Sequence, residues 1–142
     1  MQLKDILVMK IYSKVEPTKL IASVLKFEEL SEYRKDICPN EESLQISGRY
    51  LKKGTKVKAH KHLPFERTSY FTQEAWIVLE GSIKGIIYDI DNTLLCDIKI
   101  SRGDCIVLFR GGHSLETLEE DTVFYECKTG PYYGVVEDKK FI

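Results

Sequence analysis

The three histidines of the chain occupy two short sequences, and their positions give the clearest chemical signal. His60 and His62 lie in A-H-K-H, and His113 follows two glycines in R-G-G-H. Side chains two residues apart on a β-strand point to the same face, so His60 and His62 would present their imidazoles together, about 7 Å apart along the chain. Imidazoles in this arrangement are typical ligands of a divalent transition metal. The alternative is a chance pair on a polar strand face.

Glycines and one acidic residue surround these histidines at regular distances. Gly54 stands six positions before His60, and Glu74 stands seven positions before Gly81. A second pattern runs over residues 103–113, from Gly-Asp through an apolar run to Gly-Gly-His. Together the two patterns resemble the two motifs of the cupin superfamily.

The resemblance covers about residues 48–128 and implies an all-β fold in a single domain over residues 1–142. The implied architecture is a double-stranded β-helix, which is a jelly-roll barrel, with a less regular N-terminal segment. In cupins, two histidines and a glutamate of the first motif and one histidine of the second bind a divalent metal inside the barrel. Carried over to this sequence, the resemblance implies that the ligands are His60, His62, Glu74 and His113.

The acidic ligand has three candidates, because the spacer after the H-x-H is longer than in most cupins. Eleven residues separate His62 from Glu74. Glu66 has the usual cupin spacing from His62, Glu74 has the usual spacing to Gly81, and Gln73 adjoins Glu74. We favour Glu74, because a strand position fixes the direction of a side chain.

Three imidazoles and one carboxylate would leave two open positions on an octahedral metal, and they suit Fe, Mn, Ni or Zn better than Ca or Mg. Such a metal supports isomerase or epimerase chemistry, water activation or, as iron, a dioxygenase reaction.

The sequences H-K-H-L-P-F-E-R-T and E-C-K-T-G-P-Y are similar to those of uncharacterised single-domain cupins encoded among bacterial polysaccharide and nucleotide-sugar genes, which implies a small sugar-related substrate. Two other hypotheses stay open: a non-catalytic ligand-binding or regulatory module, and a metal-independent isomerase with a histidine as general base.

Four further side chains are candidates for substrate binding. Arg49, Arg67 and Arg110 offer bidentate donors to a phosphate or carboxylate, and Arg67 lies in the enlarged loop after the first motif. The alternative for Arg67 is a solvated side chain or an ion pair with a neighbouring glutamate. Trp76 shares a strand face with Glu74 at a period of two residues, so it would form a wall of the pocket.

Short β-like runs bounded by turn residues must position these side chains. From residue 43 onward the predicted strands cover 43–51, 57–62, 74–81, 83–90, 94–100, 105–109 and 122–128. Before them, residues 6–12 and 19–27 are possible strands, and residues 27–34 have the acidic start of one or two helical turns. Residues 134–142 are expected to form a surface segment that docks on the body.

Length and charge limit the class of protein. The chain has 142 residues, 21 Lys and Arg against 22 Asp and Glu, and 43% hydrophobic residues, which suits one soluble domain. A net charge of −1 with both signs interspersed predicts a small-molecule partner rather than a nucleic acid or a membrane.

Four cysteines without a C-x-x-C pair, and an N-terminus without a signal-peptide pattern, predict reduced thiols and a cytoplasmic location. The β-like N-terminal segment predicts a homodimer that pairs through an edge strand.

Overall fold

A computed structural model describes residues 8–31 and 33–142 of the chain. Its secondary structure is almost entirely antiparallel β, as the short apolar runs predict. The strands are β1 (Met9–Tyr12), β2 (Leu20–Leu25), β3 (Lys35–Asp36), β4 (Ser47–Gly48), β5 (Glu74–Glu80), β6 (Ser82–Tyr88), β7 (Leu94–Ser101), β8 (Cys105–Leu108), β9 (Gly112–Thr117) and β10 (Val123–Lys128). A 3₁₀ turn covers Phe27–Glu29, and the single-turn helix α1 covers Val135–Asp138.

Two antiparallel sheets enclose the main core. The larger sheet has the strand order β1-β2-β8-β5-β10, and the smaller has the order β7-β6-β9. Because side chains alternate along each strand, one face of each sheet is apolar, and these faces pack against each other. The core between the sheets consists of Ile21, Ala22, Val24, Trp76, Val78, Ile83, Ile87, Ile100, Ile106 and Leu108.

A second apolar cluster covers the outer face of the larger sheet. Residues 27–48, which include the β3-β4 hairpin, supply Ile37 and Cys38 to this cluster, and β8 supplies Cys105 and Val107. All four cysteines are free, and burial raises the pKa of the Cys105 thiol to about 12. The central strands β2, β8 and β5 of the larger sheet are therefore buried on both faces, which holds the start of β5 rigidly in place.

The predicted strands of the C-terminal half are confirmed, with bounds shifted by one or two residues. β5, β6, β7, β8 and β10 correspond to the runs at 74–81, 83–90, 94–100, 105–109 and 122–128. The strand predicted at 57–62 is wrong, since this segment is exposed and has no regular structure, and the run 43–51 forms only the two-residue β4. β9 was not predicted because G-H-S-L-E-T has a single apolar residue facing the core.

The N-terminal segments predicted as possible strands form β1 and β2, although residues 6 and 7 of the first run lie outside the described residues. The predicted helix at 27–34 is shorter than expected, a single 3₁₀ turn. Within the part of the chain that the structure describes, no helix is both long enough and apolar enough to cross a bilayer.

A buried carboxylate ties the β1-β2 turn to the β6-β7 turn. The Asp89 side chain is fully buried and accepts hydrogen bonds from the backbone amides of Lys14 and Ile90, each at 2.8 Å. Burial acts to raise the pKa of Asp89, but hydrogen bonds from Ser13 and from three backbone amides outweigh it and lower the pKa. The sequence D-I-D-N thus forms a turn around a structural carboxylate.

Candidate functional site

Glu74 and His113 meet at one end of the space between the two sheets, which we call the mouth. Glu74 is the first residue of β5 in the larger sheet, and His113 is the second residue of β9 in the smaller sheet. Their Oε2 and Nε2 atoms are 3.6 Å apart, and the side chains are 7% and 31% exposed, respectively. The two residues are distant in sequence, so their contact depends on the packing of the two sheets.

Glycine shapes the chain immediately before His113. Gly111 has φ +75°, and a Cβ atom there would lie 2.5 Å from the carbonyl oxygen of Tyr88. Any other residue would therefore strain the backbone and push β9 away from β6. Gly111 therefore allows β9 to approach β6 closely, and His113 pairs with Ile87 in this ladder.

Trp76 supports both members of the pair. As the period of two predicts, Trp76 shares a face with Glu74, and its indole Nε1 donates a hydrogen bond of 2.6 Å to Glu74 Oε1. The indole ring packs edge-on against His113, with ring centroids 5.5 Å apart, and against Phe124 at 6.3 Å. Because Trp76 is only 2% exposed, it fixes the carboxylate and the imidazole relative to the core.

The Glu74 carboxylate is held in its ionised form. Burial acts to raise its pKa, but hydrogen bonds from His113 and Trp76 and the electrostatic attraction of the His113 imidazole lower it, and the resulting pKa is about 2. Glu74 is thus an anionic oxygen donor at neutral pH, which is the form that binds a metal or a protonated imidazole.

Strand β10 adds a lysine and a second glutamate to the mouth. Lys128 lies directly opposite Glu74 in the β10-β5 register, and its Nζ is 4.0 Å from Glu74 Oε2 and 3.0 Å from Glu126 Oε1. The hydrogen bond to Glu126 raises the pKa of Lys128. Sequence reasoning missed both residues. The available signal was their spacing of two on a predicted strand, in phase with the core residue Phe124.

The C-terminal segment borders the mouth, as expected for a segment that docks on the body. Asp138 of α1 accepts a hydrogen bond of 2.6 Å from Thr72 Oγ1, and its Oδ2 lies 4.0 Å from Lys128 Nζ. The Lys128 ammonium also lies 5.4 Å from the centre of the Tyr132 ring. The mouth therefore contains three carboxylates, one ammonium and one imidazole.

His60 and His62 do not join Glu74 and His113 in this structure. Both lie on the exposed stretch at 51–72, which has no regular secondary structure. Their ring centroids are 5.4 Å apart, and His60 Nδ1 lies 2.9 Å from the carbonyl oxygen of Lys58. Within residues 8–31 and 33–142, no group of three or more His, Cys, Asp or Glu side chains is placed to hold a metal. Two of the four predicted ligands thus come together.

The rivals to Glu74 lie elsewhere. Glu66 is exposed on the same irregular stretch as the histidines. Gln73 is buried, and its side-chain oxygen accepts a hydrogen bond of 2.8 Å from the backbone amide of Leu44. Its side-chain nitrogen donates one of 2.6 Å to the Glu42 carboxylate. Gln73 therefore serves the outer layer of the larger sheet rather than the mouth.

The three arginines predicted to bind substrate have different surroundings. Arg110 Nη2 donates to both carboxylate oxygens of Glu42, at 2.8 Å each, and Nη1 donates to the carbonyl of Leu20. This structural pairing satisfies the guanidinium of Arg110, so the residue is a poor anion receptor. Arg49 lies over the Tyr33 ring at 5.5 Å, and Arg67 lies over the ring of Phe65 at 5.2 Å.

Comparison with known proteins gave no match: no family model, curated protein or solved structure matches this chain. The chemistry of the mouth is therefore derived from its own residues. An ionised carboxylate with an imidazole 3.6 Å and an ammonium 4.0 Å from one of its oxygens can bind a cation, orient hydroxyl groups and transfer protons.

Proposed function

We propose that the protein is a cupin-like metal-binding protein that acts on a small polar, sugar-related substrate at the mouth. The observation that carries this proposal is the contact between Glu74 and His113. They lie on strands of different sheets, both occupy ligand positions that the cupin resemblance implies, and they approach to 3.6 Å.

The donors at the mouth fit two positions around one divalent ion. Metal–oxygen and metal–nitrogen bonds are about 2.0–2.2 Å long, so two adjacent ligand atoms of one ion lie about 3.0–3.5 Å apart. Glu74 Oε2 and His113 Nε2 are close to this spacing. Glu74 is ionised, and Trp76 holds the second oxygen of its carboxylate, which would orient the first toward the ion.

The remaining two ligands, His60 and His62, would come from the exposed segment. In the described part of the chain, β9 pairs only with β6, so its other edge carries unpaired backbone groups. Residues 57–62 form no strand in this structure, but Val57 and Ala59 alternate with Lys58 and His60, which would suit an added strand on this edge when a metal binds. Eleven residues separate His62 from Glu74, and the twelve Cα–Cα steps between them can span up to about 40 Å, which is ample for this docking. The added strand would also complete the jelly-roll barrel.

The chain's own residues provide the other functions of an active site. Glu126 is 40% exposed next to the Glu74–His113 pair and is placed to exchange a proton with a bound substrate. Lys128 and Asp138 supply a donor and an acceptor for substrate hydroxyl groups. A divalent transition metal here would polarise a substrate oxygen or, as iron, activate oxygen, which corresponds to isomerase, epimerase or dioxygenase chemistry.

The position of Lys128 favours a second candidate function, metal-independent acid–base catalysis. Its ammonium is 4.0 Å from Glu74 Oε2, within the space that a cation bound to this carboxylate would need. Glu74 would then orient the imidazole of His113 as a general base, in the manner of a carboxylate–histidine dyad. The two candidates differ in one measurable property, the affinity for a metal.

We expect metal binding to stabilise the protein through Glu74. After chelator treatment, addition of Mn²⁺, Ni²⁺ or Zn²⁺ at about 100 times the Kd should raise the Tm by about 5–10 °C. The chain has one tryptophan, Trp76, and a paramagnetic ion at the mouth should also quench its fluorescence. In Glu74→Gln both responses should disappear, because the anionic donor is lost.

Glu120→Gln is the matched control, since Glu120 is exposed on the loop before β10. It should keep the full response to metal. Metal responses that are equal in wild type and Glu74→Gln would exclude Glu74 as a ligand, and a wild type that shows neither response would favour the metal-independent candidate.

We also propose that the protein is a homodimer that pairs through β1. This strand is an edge of the larger sheet among the described residues, and Met9 and Tyr12 on it are 43% and 45% exposed. Antiparallel pairing of two copies would satisfy the open backbone groups. Sedimentation equilibrium should give twice the chain mass of 16.4 kDa, whereas a 16.4 kDa species at all concentrations would rule the dimer out.

A further inference from the structure

Charge is distributed very unevenly along this chain. The segment 49–72, here called the basic segment, carries seven of the 21 Lys and Arg residues and one of the 22 Asp and Glu residues, so its net charge is +6. The rest of the chain has a net charge of −7. The overall value of −1 conceals this separation. The seven cations are Arg49, Lys52, Lys53, Lys56, Lys58, Lys61 and Arg67.

The cations of the basic segment lack the carboxylate partners that seven of the thirteen cations in the other described residues have. No carboxylate of a described residue lies within 4.0 Å of any of the seven. Outside the segment, ion pairs hold Lys19, Lys26, Arg34, Lys84, Arg102, Arg110 and Lys128. The contrast indicates that the basic segment is free to bind an anion from outside the chain.

Aromatic side chains accompany the free cations at the C-terminal end of the segment. Arg67 lies 5.2 Å from the centre of the Phe65 ring, and Tyr70 and Phe71 are in edge contact at 4.8 Å. Phe65 and Tyr70 are 74% and 91% exposed. A guanidinium stacked on a ring keeps its N–H groups available for a phosphate, and the open rings offer stacking faces for a planar group.

The basic segment is anchored at the mouth, which links its anion to the substrate. The Thr72 hydroxyl donates a hydrogen bond to Asp138, and the backbone N–H of Gln73 donates one of 3.0 Å to Thr129 Oγ1. Arg67 is five residues before Thr72 and so lies within about 18 Å of this anchor. The mouth has three carboxylates against one ammonium, and a divalent metal would only offset this excess of negative charge, whereas the basic segment carries a net charge of +6. The basic segment is therefore the stronger binding region for the anionic end of a substrate.

We propose that the substrate is a small molecule that carries a phosphate or diphosphate group, which the basic segment binds while the neutral, hydroxyl-bearing part enters the mouth. The inference rests on the proposed function for the mouth and names the class of its substrate. Docking of the segment over the mouth would bring the two binding regions together, so the anionic substrate and the segment would order each other.

The test uses inorganic pyrophosphate as the probe, in calorimetric titrations of the full-length protein at low and moderate salt. Pyrophosphate should bind with a submillimolar Kd that rises with salt. Lys56→Gln/Arg67→Gln should weaken binding by at least about tenfold through the loss of two charge-assisted contacts. The matched control, Lys14→Gln/Lys99→Gln, removes two exposed lysines outside the segment and should stay within about twofold of wild type.

Three results would overturn the inference. The first is no binding of pyrophosphate at concentrations up to about 10 mM. The second is equal weakening by both double variants, and the third is binding to phosphatidylserine vesicles without binding to pyrophosphate. Glu74→Gln should retain pyrophosphate binding, and Lys56→Gln/Arg67→Gln should retain the response to metal. Failure of the anion site and failure of the metal site are therefore separate outcomes.

Discussion

Purified wild-type protein should contain about one divalent transition metal per chain, and His60→Ala/His62→Ala should contain less than about a tenth of that amount. Loss of a group that merely orients a ligand costs 10–100-fold in metal affinity, so the loss of two direct ligands costs more. Glu74 and His113 alone would bind weakly, because two donors leave most of the coordination shell to water. Elemental analysis after gel filtration measures this directly.

Thr68→Ala/Ser69→Ala is the matched control for the histidine variant. These residues lie in the same exposed segment, and neither is a candidate ligand. The control should keep the wild-type metal content. Full metal content in His60→Ala/His62→Ala would mean that the exposed segment takes no part in the site, and that the strand predicted to dock on β9 stays apart from it.

Trp76→Ala should lower the free energy of unfolding by about 3–5 kcal/mol, as expected for removal of a large buried aromatic side chain. Trp76 is 2% exposed and contacts His113 and Phe124 as well as the core. The substitution also leaves Glu74 Oε1 without its indole donor in a mostly buried position. Urea unfolding followed by far-UV circular dichroism gives the value, since the variant has no tryptophan fluorescence.

Tyr125→Ala is a control on the neighbouring strand. Tyr125 pairs with Ile77 across the β10-β5 ladder but faces outward and is 63% exposed. Its removal should change the free energy of unfolding by no more than about 0.5 kcal/mol. Equal destabilisation by the two substitutions would contradict the assignment of Trp76 to the centre of the core and to the support of the site.

The sequence is sufficient to predict the strands that carry alternating apolar residues between glycine or aspartate turns. This pattern located β5 and β6 on either side of Gly81, and it placed Glu74 and Trp76 on one face. It also located β8 and β10, which flank β5 in the larger sheet. These elements were predictable because burial of one face imposes a period of two on the residue types.

Other parts of the site depend on contacts that a local pattern does not contain. Lys128 lies at the mouth because β10 pairs with β5 in one particular register, and Asp138 lies there because the C-terminal segment folds back to Thr72. Arg110 was predicted to bind substrate, but in the folded chain its guanidinium forms an ion pair with Glu42, a contact that the sequence does not reveal. The expectation that both signs of charge are interspersed was wrong for residues 49–72, which hold seven of the 21 cations and one of the 22 acidic residues, and the net charge of the whole chain hid this segment.

The most direct test of the account is a diffraction experiment on crystals of the wild-type protein, with data collected at the absorption edge of the metal found by elemental analysis. We expect one anomalous peak per chain at the mouth, about 2.0–2.2 Å from a Glu74 carboxylate oxygen and from nitrogens of His113, His60 and His62. In that state residues 57–62 should pair with the free edge of β9. A mouth without an anomalous peak, in which Lys128 contacts Glu74 and the two histidines stay exposed, would contradict the central claim.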